Sequence, residues 1–144
     1  MVRILATHVA VTWILVGMIW YVQLVHYPLL AIAGRAGDTA ALRGQARRMR
    51  WVMGLPMLVE LLAALALVNW PPAPAAQGLA LVGLGLLLVI WTSTLALQRP
   101  DSARLAQEFD PAIHARLVRS NWLRTVLWSL RGAVALGLAF GPRA

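Results

Sequence analysis

The chain of 144 residues alternates four long apolar stretches with short polar or proline-containing segments. The apolar stretches lie at about residues 5–30, 51–70, 79–97 and 121–140. Each stretch holds about the 20 mostly apolar residues that a helix needs to cross a bilayer. Short links between helices of similar length favour neighbours that run in opposite directions. The pattern therefore predicts an all-α integral membrane protein, an antiparallel four-helix bundle forming a single transmembrane domain over residues 1–144 without an internal repeat.

Composition agrees with a membrane location and excludes several kinds of site. Hydrophobic residues make up 60% of the chain, against roughly 45–50% in soluble domains. There is no cysteine, so disulfides and thiolate metal sites are excluded. The net charge of +8 comes from arginine, since the chain has no lysine. These arginines flank the apolar stretches, so they indicate a lipid bilayer as the partner and not nucleic acid.

The distribution of arginine predicts the orientation of the chain. The first connection carries five arginines and the third carries four, whereas the second connection, residues 71–78, carries none. Cytoplasmic loops of membrane proteins are enriched in Lys and Arg. We therefore expect the first and third connections in the cytoplasm and both termini outside, in a bacterial inner membrane.

Two connections carry signals for helices beyond the spans. Asp38 can cap a helix that continues into the second span. Asp110 followed by Pro111 is a second helix start. Four apolar residues recur every four positions around it: Leu105, Phe109, Ile113 and Leu117. This stripe, with arginines opposite, predicts one or two short surface helices on the cytoplasmic leaflet.

Charged residues inside the spans are the candidate chemistry. Glu60 is the one acid within a span, and Arg131 lies at a matching depth in the fourth span. Charges in hydrocarbon are costly and are normally paired or functional. The pattern therefore predicts an ion pair between Glu60 and Arg131. The alternative is that Glu60 carries protons or acts as a general base, tuned by the nearby guanidinium.

Further polar residues cluster near the cytoplasmic ends of the spans. On the fourth span, residues 121, 124, 128 and 131 share one helical face. We expect the polar residues of the four spans to converge on one internal site. In that site Glu60 or His26 would transfer protons, Arg124 and Arg131 would hold an anion, and Trp128 would form an apolar wall. The remaining candidate ligand-binding residues are Gln23, Tyr27, Thr94, Gln98 and Asn121.

Histidine spacing argues against a metal centre. His8 and His26 are 18 residues apart on one predicted helix, which is about 27 Å at 1.5 Å per residue. They cannot bind the same metal ion, and no metal-binding motif is present elsewhere in the chain. A haem held by a single histidine remains an open possibility for the cofactor.

The chain resembles a family of small bacterial four-helix membrane proteins. The resemblance is carried by residues 23–29 (QLVHYPL), 56–60 (PMLVE), 91–94 (WTST) and 121–132 (NWLRTVLWSLRG). It implies the same architecture and polar interior, without an activity. A fainter likeness to the HemJ-type protoporphyrinogen oxidases is carried by His8, Trp13, Gly17 and His26. That likeness implies a haem-binding bundle.

These observations lead to a function hypothesis with rivals. The first hypothesis is a polar site within the membrane that binds an anionic or carbonyl-bearing amphiphile, such as a lipid, a quinone or a haem precursor. Such a site could serve a redox or proton-transfer enzyme. The second is an accessory subunit or assembly factor of a larger membrane complex, or a homo-oligomer. A transporter fits less well, because four helices without an inverted repeat leave little room for alternating access.

Overall fold

A computed structural model gives the structure of the protein and describes residues 1–141, which form four long helices and no strand. Helix α1 runs over Val2–Arg35, α2 over Thr39–Asn69, α3 over Pro74–Leu105 and α4 over Pro111–Phe140. All four are long enough and apolar enough to cross a membrane. The prediction of four such helices in an all-α chain is confirmed. The helices are longer than the apolar stretches, because they continue into the polar connections.

Aspartates start α2 and α4, as the sequence indicated. The Asp38 carboxylate accepts a hydrogen bond from the Ala41 amide at 2.9 Å. The Asp110 carboxylate accepts from the Ala112 amide at 2.7 Å. Both bonds satisfy amides that have no partner within the helix itself. The turn before Asp38 requires Gly37, whose φ of +74° is a left-handed conformation that favours glycine.

The expectation of separate surface helices is wrong for the described chain. Residues Arg99–Leu105 continue α3, and α4 begins directly at Pro111 after a short turn. The apolar stripe faces the interior, because Leu105 and Leu117 are buried against Tyr27 and Leu42. The stripe covers the end of the helix assembly, which gives its side chains a protein surface to pack on instead of a leaflet.

Two π-helical turns interrupt the long helices α1 and α3. They span Val22–His26 and Thr94–Gln98, and each ends two residues before a proline, Pro28 or Pro100. Proline has no amide proton and its ring clashes with the carbonyl four residues earlier. A wider turn just before each proline accommodates that clash, and such turns are frequent at functional sites.

The two halves of the chain follow the same plan. In each half a long helix contains a π turn, a proline two residues later, and an aspartate ten residues after that proline which caps the next helix. The sequence analysis expected no internal repeat. The proline and aspartate recur in the sequence, and the structure adds the π turn that precedes each proline.

The helices pack around a common core. Helix α1 contacts α2 and α4, and α3 contacts the same two helices. At the centre lie fully buried apolar side chains from three of the helices: Leu15, Ile19, Leu87, Ile90 and Trp128. Helices α2 and α3 pack together less extensively than the other neighbouring pairs. A gap between α2 and α3 is the result.

Candidate functional site

Glu60 lies at the centre of a completely buried polar cluster. Its Oε1 accepts hydrogen bonds from Thr12 Oγ1 at 2.7 Å and from Arg131 Nε at 3.0 Å. Its Oε2 lies 3.0 Å from His8 Nδ1. A second nitrogen of Arg131, Nη2, is 2.9 Å from Oε1 but is not aligned for a hydrogen bond. This cluster joins α1, α2 and α4.

The predicted pair between Glu60 and Arg131 is present, and the structure adds two residues to it. The sequence analysis did not connect His8 or Thr12 with Glu60. Their spacing of four on α1 was the available signal, because it places both on one helical face. Distance along the chain gave no hint that this face meets Glu60.

Arg131 is paired with the Glu60 carboxylate, and it does not line the cavity beside Arg124. The guanidinium also lies close to Gly83 on α3, where a Cβ would collide with Nη1. Arg131 is only 1% exposed. Its position therefore brings all four helices together around one ion pair.

A second polar cluster lies nearer the arginine-rich connections. Asn121 Nδ2 donates to Gln23 Oε1 at 2.8 Å, and Arg124 Nη1 donates to Asn121 Oδ1 at 3.2 Å. Gln23 also donates weakly to the Val118 carbonyl oxygen, at 3.5 Å. These bonds fix the amide groups of Gln23 and Asn121 so that an oxygen faces the Arg124 guanidinium.

Arg124 is buried without an opposing charge. Its side chain is 6% exposed, and no carboxylate within residues 1–141 lies within ion-pair distance of it. Its neighbours are neutral: the Asn121 amide oxygen and the Met57 sulfur, which is 4.0 Å from Nη2. Its Nε has no hydrogen-bond partner in the described chain. A buried cation of this kind calls for an anion.

Arg124 lines a cavity of about 630 Å³. The cavity lies between α2 and α3, with residues of α1 and α4 as its floor, and fills the gap between the two less tightly packed helices. Its volume is within the range of roughly 300–1,000 Å³ typical of small-molecule sites. All four helices contribute residues to the cavity wall.

The cavity is strongly positive. The charged side chains on its wall are all arginines, and no acidic residue lines it. Four of these arginines are exposed near the connections, whereas Arg124 is buried at the floor. The cavity arginines are Arg43, Arg47, Arg50, Arg99 and Arg124. Low-dielectric walls strengthen the attraction of such a cleft for anions.

The rest of the wall is mainly apolar and adaptable. Met49, Met53 and Met57 follow one another at intervals of four along α2, and all three line the cavity. Unbranched methionine side chains fit irregular and varied apolar partners. Trp91 Nε1 and Gln45 Oε1 also line the cavity and are buried without a hydrogen-bond partner in the described chain. A ligand can therefore meet a cation, a further donor, an acceptor and a flexible apolar surface.

The structure divides the expected single site in two. Five predicted residues line the cavity: His26, Tyr27, Thr94, Gln98 and Arg124. Gln23 and Asn121 stand behind them and position Arg124. Glu60 and Arg131 belong to the separate cluster with His8 and Thr12. Trp128 is completely buried in the apolar core and does not line the cavity, so it forms no wall of it.

Hydrogen bonds within α3, and one between α3 and α4, orient the polar groups on the cavity wall. Gln98 accepts from Ser93 Oγ and donates to Ser120 Oγ, both at 3.2 Å. Thr94 Oγ1 donates back to the Ile90 carbonyl oxygen at 2.7 Å, as hydroxyls in helices often do. Thr94 therefore retains its acceptor lone pairs for a ligand but has already used its donor.

Two bridges hold the arginine-rich end of the cavity together. Arg43 Nε donates to the Ala106 carbonyl oxygen at 3.1 Å, linking the start of α2 to the residue after α3. Arg116 forms an ion pair with Asp101, with Nε 2.9 Å from Oδ2, linking α4 to α3. Hydrogen bonding to Asp101 raises the pKa of the Arg116 guanidinium above its ordinary value, so this group stays charged.

The described residues contain no group of three or more His, Cys, Asp or Glu side chains that could hold a metal ion. His26 is the one histidine on the cavity wall, so a haem there would find a single imidazole. Nothing matches this chain among protein-family models, curated proteins or solved structures. The geometry of the two clusters is therefore the basis for a function.

Proposed function

We propose that the chain is an antiparallel four-helix bundle in a bacterial inner membrane and binds an anionic amphiphile in the cavity between α2 and α3. The carboxylate or phosphate head of the ligand lies on Arg124, and the apolar chain lies along the methionines of α2. One observation carries the proposal: Arg124 is buried at the floor of an acid-free cavity without an opposing charge.

Pairs of contacting residues support the antiparallel arrangement. Early in α1, His8 meets Glu60 of α2. Late in α1, Gln23 meets Asn121, near the start of α4. At that same level the end of α3 meets α4, through Gln98 and Ser120. Helices α1 and α3 therefore end where α2 and α4 begin, and the apolar lengths of all four match a bilayer.

Electrostatics favours an anion over a neutral ligand. A guanidinium within the membrane costs roughly 2.5 kcal/mol or more on insertion scales unless it is compensated. A carboxylate or phosphate can accept two parallel hydrogen bonds from the planar guanidinium. A quinone carbonyl would accept a hydrogen bond but leave the charge uncompensated. An anionic head therefore satisfies Arg124 most completely.

The other wall residues have distinct parts in this site. Gln23 and Asn121 hold Arg124 in place through the bonds described above, while Trp91 Nε1 can donate to the same head group. His26 is a titratable group on the wall and can exchange a proton with a ligand. Glu60 is remote from this role, because Arg131, Thr12 and His8 already surround its carboxylate.

A binding measurement with purified protein tests the proposal. Detergent-solubilised protein is titrated with hexadecanoate and with hexadecyl phosphate, and Kd is measured by calorimetry. We expect Arg124→Gln to weaken binding roughly tenfold to hundredfold, because a hydrogen bond to a charged group contributes about 1.5–3 kcal/mol. Arg119→Gln is the matched control, since Arg119 is exposed on the same helix and outside the cavity wall.

Three results would contradict the proposal. The first is a wild-type protein that binds neither probe, and the second is an Arg124→Gln variant with the wild-type Kd. The third is a protein that purifies from native membranes only within a larger complex and binds no amphiphile there. That last result would favour an accessory subunit instead.

A further inference from the structure

Two residues of the cavity wall leave it thin toward the outside of the helix assembly. Gly54 on α2 and Leu95 on α3 both line the cavity. Gly54 has no side chain, and a Cβ placed on it would meet nothing within 4 Å. Leu95 is 48% exposed, so it borders both the cavity and the outer surface. Of these two wall positions, therefore, only Leu95 contributes a side chain, and that side chain is partly open to the outside.

The two helices are not bridged by side chains along this side. The described residues include no hydrogen bond or ion pair between a side chain of α2 and a side chain of α3. The arginine-rich end is different, because Arg43 reaches across to the Ala106 carbonyl oxygen there. In the described residues, side-chain hydrogen bonding therefore links α2 to the residue after α3 at the end of the cavity and not along its side.

The π turn of α3 lies at this opening. Leu95 belongs to the turn Thr94–Gln98, whose Arg99 amide bonds to the Thr94 carbonyl oxygen five residues back. A π turn holds an extra residue, so it widens the helix locally and turns the following residues to a new face. Pro100 requires that adjustment. The backbone of α3 is therefore irregular where it borders the opening.

By the spans predicted from the sequence, Gly54, Leu95 and Arg124 lie at one depth. Gly54 and Arg124 are each three residues inside their predicted spans, and Leu95 is two residues inside its own. These separations amount to about 3–4.5 Å at 1.5 Å per residue. A membrane-dissolved amphiphile carries its head at the same boundary between head groups and acyl chains. Such a molecule can move sideways onto Arg124 without changing its depth or its orientation.

We propose that the ligand enters from the bilayer, between α2 and α3, through a lateral opening formed by Gly54 and Leu95. The ligand is a single-chain amphiphile whose anionic head lies on Arg124 and whose tail extends through the opening into the acyl region. This inference rests on the proposed function. It adds the route by which the ligand enters and the number of acyl chains that the ligand carries. Open space at Gly54, where a Cβ would meet nothing within 4 Å, is where the acyl chain passes.

Narrowing the opening tests the route. Gly54→Leu places a side chain in open space, so the variant is expected to fold, which wild-type helicity and melting temperature will check. Gly44→Leu is the matched control, because Gly44 also has open space and lies on the same helix outside the cavity wall. Leu95→Trp narrows the opening from α3.

Kd is measured by calorimetry for hexadecanoate, for hexadecyl phosphate and for the short-chain probe octanoate, which does not need the opening. Forcing a side chain into space that the tail occupies should weaken hexadecanoate binding roughly tenfold or more in Gly54→Leu and in Leu95→Trp. Octanoate binding should stay within about threefold of wild type. Comparing hexadecanoate with hexadecyl phosphate distinguishes a carboxylate head from a phosphate head.

Two outcomes would overturn the lateral route while leaving the binding site intact. In the first, hexadecanoate binds both narrowed variants as tightly as it binds wild type. In the second, hexadecanoate and octanoate weaken equally, which would place the whole ligand inside the cavity. Failure of the binding site itself has a different signature, since the wild type would then bind none of the three probes.

Discussion

Arg124 and Arg131 lie seven residues apart on α4, both almost fully buried, and their surroundings differ in charge. Arg131 faces the Glu60 carboxylate, whereas Arg124 faces an amide oxygen, a sulfur and the cavity. Trp128 separates them along the helix and is completely buried. Arg131 therefore holds helices together through its ion pair, whereas Arg124 presents its guanidinium to the cavity.

The Glu60 cluster gives a stability prediction. We expect Arg131→Met alone to destabilise the protein by about 3–5 kcal/mol, because it leaves a buried carboxylate without its counter-charge. The double variant Glu60→Leu/Arg131→Met should lose less stability than Arg131→Met, since it removes both charges. Denaturant unfolding in detergent micelles measures both. A double variant as unstable as the sum of its single variants would contradict this coupling.

At the scale of elements, irregular helix turns and glycines decide where helices approach and where they separate. The π turns of α1 and α3 occur at the level of the cavity and border it. Elsewhere α3 approaches α4 closely, because Gly83 leaves room for the Arg131 guanidinium. These local features therefore account for the close packing of α3 and α4 at Gly83. They also account for the gap between helices beside the π turns.

Gly83 provides a prediction about helix approach. In Gly83→Ala the new Cβ would overlap Arg131 Nη1 and lie 3.0 Å from Val134 Cγ1. We expect a loss of about 1–3 kcal/mol in the free energy of unfolding, as for other overpacked cores. Gly85→Ala is the control, because its Cβ meets nothing within 4 Å. It should leave stability unchanged or raise it by up to about 1 kcal/mol. Equal effects of the two substitutions would argue against this packing.

At the scale of the whole molecule, the exposed arginines of the cavity and the cavity itself occupy the same end of the helix assembly. The exposed arginines of the cavity belong to the start of α2 and the end of α3. Anionic head groups at a cytoplasmic membrane surface attract such clusters. The proposed orientation thus brings the cavity to the leaflet where an anionic amphiphile would meet it.

Labelling of introduced cysteines tests that orientation, and the chain has no cysteine of its own. Ala75→Cys lies in the connection without arginine and Gln107→Cys in the third connection, both at exposed positions. In intact spheroplasts a membrane-impermeant maleimide should label Ala75→Cys. It should label Gln107→Cys only after permeabilisation. The reverse pattern would place the arginine-rich end outside and exclude the proposed topology.

Much of the fold could be predicted from the residues in order. Apolar runs of about 20 residues predict the four helices, and Asp38 and Asp110 predict the starts of two of them. Both signals are readable because they depend only on composition and capping within a short stretch of chain. The pair between Glu60 and Arg131 followed from matching depth, since two isolated charges in apolar helices require compensation. The prediction of surface helices was wrong, because the sequence of an amphipathic stripe does not determine whether the stripe packs on lipid or on protein.

The sequence by itself determined four apolar helices, the starts of two of them and the presence of charges that need partners. Tertiary structure alone decided which charge met a partner: His8 and Thr12 joined Glu60, and Arg124 was left facing a cavity. The physical reason is that helix formation depends on neighbours in the chain, whereas charge compensation depends on which helical faces meet. Packing of α2 against α3 then determined where the gap between helices lies.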